Sequence, residues 1–253
     1  FDQQCASLIP AEVRMISGCH SEQTSVDLSN VGTISTLPNP AGRAGGACTS
    51  ALLNILYLHH YHRGGNKFAN NGISFQDILL QLRESLSNSG ISQIPQLTSS
   101  RPLDLQRAPF RLRPQHVGGV ARAVLVGINY VGQSGQLSGC HNDVLNVKRY
   151  IMDVHGYRDE NIVVLMDKYG GNMFPSRQKI IEELRRLVAA SRLGDSVYFH
   201  YSGHGGLLSP EFNAFKTNRK EYDEIIYPVD HHSAGQIRDF SLFNHFVKPM
   251  SAG

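Results

Sequence analysis

The sequence predicts an α/β fold built on a largely parallel sheet, with helices on both faces, and three observations carry that expectation. Apolar runs end abruptly in small or polar residues at 121–130, 161–167 and 195–201. Such runs mark strands covered on both faces, as in a parallel sheet. Helical periods lie between them: Val144, Val147, Tyr150, Ile151 and Val154 share one stripe, and Ile180, Ile181, Leu184, Leu187 and Val188 another. The order strand, helix, strand, helix, strand is the βαβαβ pattern, in which ligands collect at the carboxyl ends of the strands.

Residues 101–119 mix prolines and glycines without a clean period and carry Arg101, Arg107, Arg111 and Arg113, which reads as a stiffened, basic, solvated linker. The strand at 121–130 follows. Leu137-Ser-Gly-Cys-His-Asn-Asp143 then leads into a helix over 141–155, with Asp143 or Asn142 available as its N-cap. A second strand covers 161–167, and an amphipathic helix runs from Ser176 to Leu193. The third strand breaks into Ser202-Gly-His-Gly-Gly206. A histidine at that point, His204, can titrate near neutrality and take a proton from a nucleophile. Glycines beside it let backbone approach a substrate closely. The plainer reading of His204 is a satisfied loop histidine. His200, on the same strand, is read as packed in the sheet.

A chain of 253 residues with 41% hydrophobic content can bury a sizeable core, as one composite domain or two lobes. Its formal charge of +3 is too mild to argue for nucleic acid or membrane partners, and no apolar run reaches membrane-span length. Four cysteines without a Cys-x-x-Cys pair suggest neither a disulfide framework nor a zinc site. A reduced, cytoplasmic setting is expected. The first residue is Phe1, which leaves an upstream targeting segment open.

Four segments together resemble the metacaspases, caspase-like cysteine endopeptidases: the Arg122–Asn129 strand ending Gly-Ile-Asn, the Leu137–Asp143 segment, the His200-Tyr-Ser-Gly-His-Gly205 turn, and Tyr222-Asp-Glu-Ile-Ile-Tyr-Pro-Val-Asp230. By that resemblance 120–253 is most of the large catalytic subunit of a caspase-like sheet. Residues 1–100 resemble the small subunit: Val13–Asp27 its opening strand and loop, helical runs at 44–60 and 74–86, and Gln93–Pro102 its end. The small part precedes the large one, as in the type III metacaspases. A sheet tolerates permuted chain order if the connector reaches, so both pieces are expected in one sheet.

The resemblance implies cleavage after arginine or lysine, with His204 as general base and the Gly205 N–H stabilising the oxyanion. Cys140, Asp143 and Ser202 are implied to line the substrate pocket, with Asp27 a contributor from the small-subunit region. It implies calcium activation through Asp223 and Asp239, with Phe240 where a further aspartate is usual and Glu221 or Glu224 as substitutes. The family's nucleophile sits in an Asp-x-Cys-His-Ser-Gly turn, expected beyond residue 253. Three readings stay open: a missing partner segment, a catalytically inactive product, or a substitute among the cysteines present. Cys19 is rejected, because Glu22–Asp27 after it matches the small subunit. Cys140 is placed better, and Cys5 and Cys48 read as ordinary residues. Self-processing would find sites among the linker arginines, or at Arg219 and Lys220. The partners expected are peptides or proteins with arginine or lysine at the cut, and the chain is expected to be a monomer. Two rivals remain: a caspase-like regulatory or binding protein, and a nucleotide-binding protein. For the latter, Gly127, Gly132 and Ser134 have phosphate-loop spacing, but Gln133 stands where the lysine belongs.

Overall fold

The computed structural model describes residues 8–20, 23, 25–35, 43–62, 72–113, 118–168, 173–208 and 222–251. The first half carries β1 (Arg14–Ser17), β2 (Asp27–Leu28), β3 (Gly45–Gly46), α1 (Ala47–His62), α2 (Phe75–Asn88) and β4 (Gln96–Ser99). The second carries β5 (Ala121–Gly127), α3 (Cys140–His155), β6 (Ile162–Met166), α4 (Arg177–Ala190) and β7 (Ser196–Ser202). After these come β8 (Gly205–Leu208), β9 (Asp223–Ile226), α5 (His231–Ala234), β10 (Ile237–Arg238) and α6 (Asp239–Leu242).

The expected parallel sheet is present in the order β6-β5-β7, with helices on both faces. Period-2 alternation along β5 divides its side chains. Ala121, Ala123 and Leu125 join a core with Val144, Val147 and Ile151 of α3 and Ala47 and Ala51 of α1. Val124 and Val126 join Ile180, Leu184 and Leu187 of α4 on the other face. Both amphipathic helices therefore sit where their apolar stripes point. Ser74 and Ser176 cap α2 and α4 by accepting from the N–H groups of Asp77 and Lys179. At Gly127, an added Cβ would stand 2.6 Å from the Cys140 carbonyl oxygen, so glycine lets α3 rest on the end of β5.

Several expectations are corrected. Residues 13–17 do not share a sheet with 121–128: among the described residues β1 pairs only with β4, antiparallel. The halves meet through α1 on α3 and β3 against α3 instead, and the first hydrophobic cluster draws on both. Beside the parallel β6-β5-β7 sheet, β10-β9-β8 and β2-β3 pair antiparallel among the described residues. Residues 205–208, where the third strand was expected to have broken off, form a further strand. Their Gly-Gly-Leu-Leu run shows no alternation that would have revealed it.

The segment read as a solvated linker packs over the start of α2 as far as Phe110. Pro109 bridges Ser74, the Phe110 N–H donates to Ile73, and the Phe110 ring meets Phe75 edge-on. Arg101 is held by the Ile9 and Pro10 carbonyls, while the side chain of Arg107 is largely exposed. Cys5, Arg219, Lys220 and Glu221 lie outside the described residues. Among those described, no helix is long and apolar enough to cross a membrane.

Candidate active site

Parallel pairing sets Gly127 opposite Ser202, so the carboxyl ends of β5 and β7 deliver their following residues side by side. The Ile128 N–H donates to the Ser202 carbonyl, which extends the ladder one residue further. Two groups of polar side chains gather there.

The first is a cluster of acidic side chains. Asp143 is buried, and both of its oxygens accept from the Gly46 N–H (2.9 and 3.1 Å). The Ser202 hydroxyl donates to Asp143 Oδ2 at 2.6 Å. Burial pushes the Asp143 carboxyl up to about 7, partly opposed by Ser202 and Gly46 and reinforced by Asp27. β2–β3 pairing sets Asp27 beside Gly46. Asp27 Oδ2 accepts from the Ser138 N–H and hydroxyl and from the Gly139 N–H, while its Oδ1 is buried without a hydrogen-bond partner. The structure thus brings Cys140, Asp143, Ser202 and Asp27 together.

The helix-cap expectation is corrected here. Gly139 is the N-cap of α3 and offers no side chain, and Asn142 reaches the Ala44 carbonyl instead. The free N–H groups at the start of α3 are met from a distance, by Asp27 and by the Asn129 side chain, which accepts from the Cys140 N–H. A carboxylate at a helix N-terminus is favoured by the exposed amides and their dipole.

Burial pushes the Cys140 thiol up to about 12; Ser202 opposes the shift, and the carboxylates of Asp143, Asp27 and Asp167 add to it. Burial does the same to Cys48. Nucleophilic and metal-bound cysteines are thiolates, so neither is poised to attack at neutral pH. Cys19, Cys48 and Cys140 are free. Cys19 accepts from the Ser25 hydroxyl and donates to the Gln23 carbonyl.

The second group surrounds His204. Its Nε2 lies 2.6 Å from the Gly135 carbonyl oxygen. A carbonyl can only accept, so Nε2 carries the proton and Nδ1 keeps the basic lone pair. The His204 N–H donates to the Tyr130 hydroxyl, and its carbonyl accepts from the Tyr201 hydroxyl and the Tyr227 N–H. That last bond makes 204–227 a bonded pair of the β8–β9 ladder and 205–226 a non-bonded one. The Gly205 N–H therefore points away from β9, at the outer edge of β8. His200 packs within β7; its Nε2 is buried without a partner, and burial lowers it to about 4.

Sequence reasoning missed Tyr130, Gly135, His141, Asp167 and Tyr201. Asp167 is buried, accepts from the Asn129 and Val131 N–H groups, and lies 2.5 Å from His141 Nε2. Burial alone would raise it; His141 and the two amides outweigh that and hold it below the usual carboxylate range. The available signal was position, since Tyr130 and Asp167 both end strand runs at the carboxyl edge of the sheet. The phosphate-loop rival is answered here. The Gln133 and Gly132 N–H groups donate to the Tyr130 carbonyl and the Gln136 side chain, so these loop amides are engaged within the loop itself.

Asp223 pairs with Arg238, and Asp239 accepts from the Phe240 N–H. Burial raises the Asp239 carboxyl, with Asp223 and Glu224 adding to the shift and Phe240 and Arg238 opposing it. Among the described residues, no three His, Cys, Asp or Glu side chains gather as a metal cage. The oxygen donors suit calcium in kind, but it takes six to eight of them, and Asp223 is engaged by Arg238.

A sequence profile described as "Metacaspase, peptidase C14 domain" matches residues 121–253. The chain is 43% identical to Metacaspase III c of Phaeodactylum tricornutum over 254 residues, covering 100% of this chain and 72% of that protein. A continuous match of that extent means both proteins share the same segment order. Metacaspase-1B of Neurospora crassa is 40% identical over 147 residues, 58% of this chain and 34% of its own length. Metacaspase-1B of Aspergillus fumigatus is 36% identical over 167 residues, 63% of this chain and 40% of its own. The chain thus spans less than half the length of the latter two relatives.

Proposed function

The chain belongs to the metacaspases, a family of cysteine-type endopeptidases, and from that premise we propose that it supplies the general base and the specificity pocket for cleavage after arginine or lysine. The observation that carries this reading is the carboxylate pair. Asp27 keeps one buried oxygen without a partner, beside an Asp143 that burial holds half-protonated near neutrality. Both features cost free energy in the empty pocket. A guanidinium or ammonium entering would ionise Asp143, satisfy Asp27 Oδ1 and lose little of its own solvation unpaired. An acidic side chain would meet repulsion.

In the proposed reaction His204 Nδ1 takes the proton from a cysteine thiol, whose sulfur attacks the carbonyl after the basic residue. The amine leaves with a proton from the imidazolium, and water then hydrolyses the thioester. The Gly205 N–H, aimed away from its own sheet, is the proposed oxyanion donor. The nucleophile is assigned to a cysteine beyond residue 253, a reading supported by the high thiol pKa of Cys48 and Cys140. Calcium is proposed to bind at Asp223 and Asp239, with Glu224 beside them, after Arg238 swings out. There it would offset the charge that now raises Asp239.

The test compares full-length wild-type, His204→Ala and Asp143→Asn enzymes on peptides ending in arginine, lysine or aspartate, with and without calcium. Arginine and lysine cleavage that is lost in both variants supports the reading. Equal activity of His204→Ala and wild type removes His204 from the mechanism, and preference for aspartate removes the pocket assignment. A full-length protein that binds such peptides without cutting them is instead a caspase-like binding protein.

A further inference from the structure

Tyr130 has the only positive φ (54°) among the described non-glycine residues. For a bulky aromatic that conformation is strained by about 1–3 kcal/mol, and such strain persists only where the surroundings impose it. Here a carboxylate imposes it. Asp167 accepts from the N–H groups immediately before and after Tyr130, and His141 holds Asp167 in turn.

The strained turn sends the phenol to the base. The Tyr130 hydroxyl accepts from the His204 N–H at 3.0 Å and donates to the Tyr227 carbonyl at 2.7 Å. In an ordinary antiparallel pair those two backbone groups would bond each other. The hydroxyl is therefore inserted into the β8–β9 ladder at His204. The Tyr201 hydroxyl lies 3.0 Å from that of Tyr130 and donates to the His204 carbonyl at 2.9 Å. Burial pushes the Tyr130 phenol up to about 12, so it keeps its proton at neutral pH. Its ring also lies against the imidazole, with centroids 4.6 Å apart and planes tilted by 32°. An aromatic face stabilises a cation placed over it.

We propose that Tyr130 is a positioning residue for His204: its hydroxyl fixes the His204 backbone, its ring seats the imidazole, and the Asp167–His141 pair holds it in the strained turn. Tyr130 touches neither substrate nor nucleophile in this role. It sets the direction of Nδ1 while the Gly135 carbonyl sets the tautomer. The proposal rests on His204 being the base, and its test separates the two claims.

The experiment uses the full-length enzyme and an arginine-ended peptide. Tyr130→Phe keeps the ring and removes the hydroxyl's bonds to His204, Tyr227 and Tyr201. We expect kcat to fall about tenfold or more, KM to stay within about threefold, and the acid limb of the pH–rate profile to stay in place. Tyr130→Leu also removes the ring, and its acid limb should move to lower pH because the imidazolium loses the aromatic face. If Tyr130→Phe does not fold, Gly203→Ala probes the same bonds, since its Cβ would stand 2.6 Å from the Tyr201 hydroxyl and 3.0 Å from that of Tyr130. A folded Tyr130→Phe or Gly203→Ala enzyme with wild-type kcat overturns the proposal, as does a loss confined to KM. If His204→Ala is as active as wild type, the assignment of the base itself fails, whatever Tyr130 does.

Discussion

Asp143 has an ordinary carboxylate's chemistry and an unusual environment. With its carboxyl pushed up to about 7 by burial, it is half-ionised near neutrality, and only the ionised form pairs with a guanidinium. Binding of an arginine-ended peptide should therefore tighten as pH rises through about 7, and Asp143→Asn should remove that dependence. Calorimetric titration between pH 6 and 8 checks this, and a flat wild-type profile would contradict it. A steric test is independent of charge. A Cβ at Gly46 would lie 2.6 Å from Asp143 Oδ2, so Gly46→Ala should push the carboxylate out of place. KM for arginine substrates should rise about tenfold or more, the loss of one charge-assisted hydrogen bond, with a smaller effect on kcat.

At the scale of elements, packing decides more than surface charge. Arg149–Asp153 on α3 and Arg186–Glu182 on α4 are largely exposed ion pairs, of a kind that contributes about 0–1 kcal/mol. Leu125 and Leu184 are fully buried, and each such side chain is worth roughly 2 kcal/mol. One close contact is α3 against the end of β5. Gly127→Ala would press a methyl into the Cys140 carbonyl and Val144. It should lower stability by about 1–3 kcal/mol in urea unfolding, more than loss of the exposed Arg149–Asp153 pair in Arg149→Ala. These elements were legible because their apolar periods are long. The strands β2, β3, β8 and β10 have two to four residues, too few to show a period, and they are held by pairing rather than by pattern.

For the whole molecule, Asp143 couples stability to pH. Its folded-state pKa lies above the unfolded value, so between about 4 and 7 the folded protein holds more protons than the unfolded one. Stability contributed by the neutral carboxyl therefore declines as pH rises across that window. Asp167 acts in the opposite sense: its folded pKa is lowered, so its contribution is lost as pH falls through that value. Asp143→Asn should flatten the decline between pH 4 and 7, by several kcal/mol at most, as measured by urea unfolding across that range. Asp27 ties the halves directly, from β2 to the amides opening α3. Asp27→Ala should weaken both the pocket and that junction, raising KM and lowering the thermal midpoint together.

The sequence by itself determined the parallel sheet, its two flanking helices and the segments meeting at its carboxyl edge, because those features follow from apolar period and local turn chemistry. The resemblance of its motifs to the metacaspases also singled out Cys140, Asp143, Ser202 and Asp27, which the fold gathers. Only the tertiary structure decided that residues 14–17 stand in a separate sheet, that helix packing joins the halves, and that a strained tyrosine reaches the His204 backbone. Those outcomes depend on groups far apart in the chain, such as Asp27 on Gly139 and Asp167 on Asn129. No local pattern encodes the distance between them.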